Sequence, residues 1–70
     1  MSEWQNFGVL LQRKRGGVPE PDFEYRGETL PEIGDDIRVT PAHPAAPDAI
    51  QARVTGIEVG KSLPIRATEL

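Results

Sequence analysis

A tight turn that leads directly into an alternating apolar segment is the sequence feature that most constrains this fold. The turn lies in residues 30–35 and the segment in residues 36–40. Gly34 gives the backbone freedom at a corner, and the carboxylate of Asp35 can accept hydrogen bonds from nearby main-chain N–H groups. Ile37 and Val39 alternate with polar side chains, which is the period of a half-buried strand. The sequence therefore predicts a small domain built of strands and turns.

Length and composition predict one domain that spans residues 1–70, because 70 residues leave no room for a second core. The chain has no cysteine, which excludes disulfides and thiolate metal sites. Eleven acidic residues against eight basic ones disfavour a domain that binds nucleic acid over a whole face. No apolar run is long enough to span a bilayer, and the first residues lack the basic region of a signal peptide. We therefore expect a cytoplasmic protein with no membrane contact.

Five strands are expected, over residues 6–14, 21–27, 36–40, 50–59 and 63–68. The first segment has two interpretations, a strand and a short helix. Ser2 and Gln5 imitate a helix capping box, but Gly8 in mid-segment disfavours a helix. Residues 22–26 alternate cleanly and need a neighbouring strand, so the hairpin interpretation is favoured.

The fourth segment changes the parity of its apolar residues at Thr55-Gly56, which indicates a β-bulge or a sharp bend. Residues 60–62 then form a short hairpin loop, and Leu30 and Ile33 are expected over one end of the core. Short strands in meander order, one of them bent, predict an all-β fold: a five-stranded antiparallel barrel, partly open.

Two stretches carry a resemblance, Leu30-Pro31-x-x-Gly34-Asp35-x-Ile37-x-Val39 and Ala52-Arg53-Val54-Thr55. They resemble the strand–turn pattern of SH3-like and translation-protein-type small β-barrels, over about half of the chain. The resemblance implies a fold and carries no catalytic residue, because many unrelated functions share this pattern.

The sequence predicts an interaction surface that consists of a basic cluster and two aromatic residues: Arg13, Lys14, Arg15, Trp4 and Tyr25. The cluster could contact phosphates, but three cations bind nucleic acid weakly and with strong salt dependence. Charges at a strand end also discourage aggregation, which is the simpler interpretation. Trp4 is expected to close one end of the barrel, with an exposed binding anchor as the alternative.

Other candidate motifs have simpler explanations. Gly60-Lys61-Ser62 lacks the spacing and the following helix of a phosphate-binding loop. The acidic residues Glu32, Asp35 and Asp36 lack the ligand spacing of a calcium loop, so turn chemistry is favoured. The prolines at 41, 44 and 47 could present a polyproline face to a partner, but a stiff loop is favoured.

His43 has no partnered nucleophile, so we expect neither catalysis nor a cofactor. The function itself is not readable from these patterns. We expect a non-catalytic accessory module that binds a protein partner, or a second copy, through an exposed strand edge. The alternative is weak nucleic-acid binding by the end that carries residues 13–15.

Overall fold

The computed structural model describes residues 3–42 and 49–70, which contain five strands and no helix. The all-β prediction is confirmed, and the strand ends lie close to those expected. The strands are β1 Gln5–Gln12, β2 Glu20–Gly27, β3 Asp36–Pro41, β4 Ile50–Ile57 and β5 Ile65–Glu69. The helix alternative for the first segment is wrong, since β1 extends through Gly8. The described residues form no helix, and so they contain no helix that could cross a bilayer.

The strands form a closed barrel in the order β1-β2-β3-β4-β5. Consecutive strands pair antiparallel, whereas β1 and β5 pair parallel over Val9–Gln12 and Ile65–Thr68. The expectation of a partly open, wholly antiparallel sheet therefore needs correction. In a meander each strand reverses direction, so the first and fifth strands point the same way and can only close the barrel as a parallel pair.

The core contains one face of every strand. Its members are side chains that alternate along the strands and that are at most 7% exposed: Val9, Leu11, Phe23, Ile37, Val39, Ala52, Val54, Ile65 and Ala67. Burial of such side chains contributes roughly 1.5–3 kcal/mol each for the larger ones, which is the main stabilising term in a chain without disulfides.

The predicted irregularity in the fourth strand is present. The pairing of β4 with β5 shifts register between Val54 and Gly56. A bulge at this point places Ile57 against the core although its parity differs from that of Val54. The bend therefore reconciles the two apolar parities in one strand.

The turn before β3 forms as predicted. Gly34 has a φ of 96°, a left-handed conformation that glycine adopts without a steric penalty. The Oδ2 atom of Asp35 accepts a hydrogen bond from the N–H of Glu32 at 3.0 Å. The N–H of Gly34 donates to the carbonyl of Val54 at 2.8 Å, and the N–H of Val54 donates to the carbonyl of Asp35 at 2.9 Å. The turn therefore attaches the beginning of β3 to β4.

The neighbouring loops follow the expectation only in part. Leu30 packs against the core, but Ile33 is 66% exposed, so its expected position over the core is wrong. The loop between β4 and β5 is a turn with Gly60 at a φ of 88°, and the N–H of Glu58 donates to the carbonyl of Pro64 at 2.7 Å. Pro41 ends β3, while the expectations for His43, Pro44 and Pro47 concern positions outside the described residues.

Candidate functional site

The basic cluster predicted from residues 13–15 is largely neutralised by its surroundings. The Nε atom of Arg13 lies 3.1 Å from Oε1 of Glu69, and its Nη1 atom lies 3.5 Å from Oε1 of Glu20. The guanidinium also lies over the ring of Phe23, 5.8 Å from its centroid. The hydrogen bond to Glu69 raises the pKa of Arg13 above its usual range. Arg13 therefore ties β1 to β2 and β5.

Lys14 and Arg15 continue this arrangement. The main-chain N–H of Lys14 donates to Oε1 of Glu69 at 2.9 Å, which, with the hydrogen bond from Arg13, lowers the pKa of that carboxyl. The Nη2 atom of Arg15 lies 4.0 Å from Oε2 of Glu20. Two carboxylates thus accompany three cations, and most of the charge that would attract phosphates is balanced within the barrel.

The two aromatic residues of the predicted surface lie away from the basic cluster. Trp4 precedes β1 and Arg13 follows it, so they lie toward opposite ends of the barrel, roughly 30 Å apart along the chain at the rise of a strand. Trp4 is 60% exposed, so the expectation that it closes the barrel is wrong. Tyr25 is half-buried and stacks on Phe7, with 6.4 Å between ring centroids and 22° between ring planes.

Of the acidic residues 32, 35 and 36, the carboxylates of Asp35 and Asp36 are accounted for by local structure. Asp35 accepts a hydrogen bond in the turn, as described above. Asp36 accepts one from Nε of Arg53 at 2.8 Å, which lowers the pKa of Asp36. Within residues 3–42 and 49–70, no group of three histidine, cysteine, aspartate or glutamate side chains is gathered for a metal ion.

The most distinctive feature of the barrel is the incomplete pairing of β2 with β3. Phe23 pairs with Pro41 and Glu24 with Thr40, and the N–H of Ala42 donates to the carbonyl of Asp22 at 2.9 Å. Every other neighbouring pair of strands shares at least four residue pairs, so the ladder between β2 and β3 is the shortest.

The next hydrogen-bonded rung of this register would join Arg26 to Arg38. In an antiparallel pair, hydrogen-bonded rungs occur at every second residue, and here they include the pairs Asp22–Ala42 and Glu24–Thr40. The register lacks a pair between Arg26 and Arg38, although both lie within their strands. We call the gap between residues 26–27 of β2 and residues 36–38 of β3 the open seam.

The main-chain groups of Arg26 and Arg38 are directed into the open seam. Alternate residues of a strand bond to opposite neighbours, and the odd-numbered residues of β2 belong to the hydrogen-bonded rungs with β1. The even-numbered residues of β2 and β3 therefore present their N–H and C=O groups to each other. At the open seam these groups lack a strand partner among the described residues.

A groove of about 380 Å³ lies at the open seam. Its lining comes from the ends of both strands and the turn between them: Tyr25, Thr29, Leu30, Pro31, Glu32, Asp35, Asp36 and Ile37. The barrel end at this position also carries the exposed apolar side chains Trp4, Ile33 and Val59. Unpaired main-chain donors and acceptors thus border a groove whose accessible surface is mostly polar, an arrangement that suits the main chain of an added strand.

No pattern in the sequence distinguishes Arg26 and Arg38 from other exposed arginines. Both are outward residues on alternating strands, and such arginines are ordinary on a solvated face. Their relation depends on the register between β2 and β3, which the intervening turn does not reveal.

Comparisons with protein-family models, with curated proteins and with solved structures find no match to this chain.

Proposed function

We propose that this chain is a non-catalytic protein-interaction module that accepts an extended segment of a partner at the open seam. The missing rung between Arg26 and Arg38 is the observation that supports the proposal. Unpaired main-chain groups beyond the end of a short ladder are a template for an added strand, and such β-augmentation derives affinity from main-chain hydrogen bonds.

The surroundings of the seam favour polypeptide as the partner. The groove beside the seam has a volume of about 380 Å³ and a mostly polar accessible surface, which offers hydrogen-bond partners to the main chain of an added segment. Nucleic acid is the weaker candidate, because the net charge is −3 and the carboxylates of Glu20 and Glu69 balance the basic cluster.

Hydrogen exchange of the free protein tests the premise of the proposal. We expect the amides of Arg26 and Arg38 to exchange faster than those of Glu24 and Thr40, which lie on the same strands but in formed rungs. Equal protection at all four positions would contradict the existence of an open seam.

Peptide selection tests binding itself. Peptides selected from a random library against the folded chain are expected to protect the amides of Arg26 and Arg38 from exchange. The substitution Arg38→Pro removes the N–H that faces the seam, while Arg38→Ala removes the side chain and keeps the N–H. Binding should weaken far more in R38P than in R38A, and Arg26→Pro provides an independent second variant if R38P folds poorly.

The alternative outcomes are distinct. Selected peptides that leave the two seam amides unprotected, or equal binding by folded R38P and R38A, would contradict strand addition at the seam. Self-association that protects the same amides would identify a second copy of the chain as the added strand. Binding that occurs only with oligonucleotides and disappears as salt is raised would favour the nucleic-acid alternative.

A further inference from the structure

We infer that the partner segment carries an acidic residue that lies between Arg26 and Arg38. This inference rests on the proposed function and names the chemistry of its partner. Two observations lead to it: the outward direction of the two arginines, and their lack of carboxylate partners among the described residues.

Arg26 and Arg38 share the outer face of the barrel. Both are exposed, while the adjacent residues Tyr25 and Ile37 are turned inward, because side chains alternate along a strand. Extension of the register of β2 with β3 by two residues would bring the two arginines to opposed positions. Like charges at directly opposed positions destabilise a pair of strands, so the end of the ladder before this rung avoids a repulsive pair.

Neither of the two guanidinium groups forms an ion pair with a carboxylate of the described residues. Asp36 shares the face with Arg38, but its carboxylate is bound to Arg53. Glu24 precedes Arg26 on the same face and forms no ion pair with it. Two cations therefore flank the seam, and a carboxylate that enters between them would replace repulsion by attraction on both sides.

Three peptides that differ at one position test the inference. Each is a short extended peptide with a central residue between two valines, and the central residue is glutamate, glutamine or lysine. We expect affinity for the native chain to fall from glutamate to glutamine to lysine, by about threefold to tenfold at each step, as for solvent-exposed charge pairs. Equal affinity for the glutamate and glutamine peptides would overturn the inference.

Charge reversal provides the matched control. The double variant R26E/R38E should reverse the order, so that the lysine peptide binds best. The double variant K14E/R15E changes the net charge by the same amount at the opposite end of the barrel, and it should preserve the native order. Reversal in both variants would show an effect of net charge rather than of the seam.

The failure of this inference can be separated from that of the proposed function. Glutamine and glutamate peptides that bind equally, with protection of the Arg26 and Arg38 amides, would leave strand addition intact and refute the acidic partner. Absence of binding by all three peptides and by the selected peptides would refute both. A single-stranded oligonucleotide that competes with the glutamate peptide, and loses affinity in R26E/R38E, would show that the two arginines bind phosphate instead.

Discussion

The contact between β1 and the loop after β4 permits a sharp test of the packing, with Gly8→Ala as the perturbation. Gly8 lies in mid-strand at a position without a positive φ, so an alanine there meets no backbone conflict. The conflict comes from the space around it. A Cβ atom on Gly8 would lie 2.7 Å from Cδ2 of Leu63 and 2.8 Å from the main-chain oxygen of Ser62.

The expected cost follows from which of these atoms can move. The end of the Leu63 side chain can rotate away, but the Ser62 carbonyl moves only with the loop that joins β4 to β5. Overpacking of this kind typically costs about 1–3 kcal/mol. For a domain of 60–100 residues, each kcal/mol lowers the melting temperature by about 4–8 °C.

Gly56→Ala is the matched control. Gly56 also lies in a strand and without a positive φ, but the nearest atoms to its Cβ position belong to the flexible Arg66 side chain at 3.6 Å. That distance is ordinary van der Waals contact, and alanine removes the entropic cost of glycine, so we expect no loss of stability. Thermal and urea unfolding of both variants measures the difference. A G8A variant as stable as G56A would refute the described approach of the loop to β1.

Three further perturbations have defined outcomes. Leu11→Ala removes the largest fully buried side chain and should lower the free energy of unfolding, measured in urea, by about 2–5 kcal/mol. This is a large part of the total unfolding free energy of roughly 4–10 kcal/mol that is typical of 70 residues. A loss below about 1 kcal/mol would contradict the central position of Leu11. Gly34→Ala should lower the melting temperature more than Gly34→Asn, because asparagine tolerates a positive φ better than alanine. The depressed pKa of Glu69 contributes stability that is present above the glutamate pKa of the unfolded chain and is lost as pH falls through the lower pKa of the folded chain. Glu69→Gln should therefore reduce the fall in melting temperature that acid causes. An unchanged fall would contradict the contact of Glu69 with Lys14 and Arg13.

The strands and the turn before β3 were predictable from the sequence because their determinants are local. Alternation of Ile37 and Val39 with polar residues, and the glycine at Gly34, depend on neighbours in the chain. The bulge was predictable for the same reason, since the change of parity at Gly56 is visible in one segment. Local patterns of this kind survive folding unless the tertiary structure overrides them.

The candidate site was less predictable because its determinants lie on separate strands. The neutralisation of Arg13 depends on Glu20 and Glu69, which the barrel brings together from β2 and β5. The exposure of Trp4 depends on which residues occupy the barrel end, and composition does not reveal this. The interpretation of residues 13–15 as a cationic surface therefore overlooked the carboxylates that fold against it.

The parallel closure could have been deduced from the expected topology, whereas the open seam could not. Five strands in a meander leave the first and last strands pointing the same way, whatever their side chains. The seam depends on the distance between two strands whose connecting turn is eight residues long, residues 28–35. Such a turn does not fix register as a two-residue hairpin does.

The position of the open seam follows from the anchors of the two strands that form it. Gly27, the last residue of β2, pairs with Gln5 of β1. The beginning of β3 is attached to β4, because Val54 bonds to both Gly34 and Asp35. Each strand is thus held by its outer neighbour at the same end of the barrel, while the pairing at Phe23 and Glu24 holds them together toward the other end. The seam therefore lies at the end of the barrel where no anchor joins β2 directly to β3.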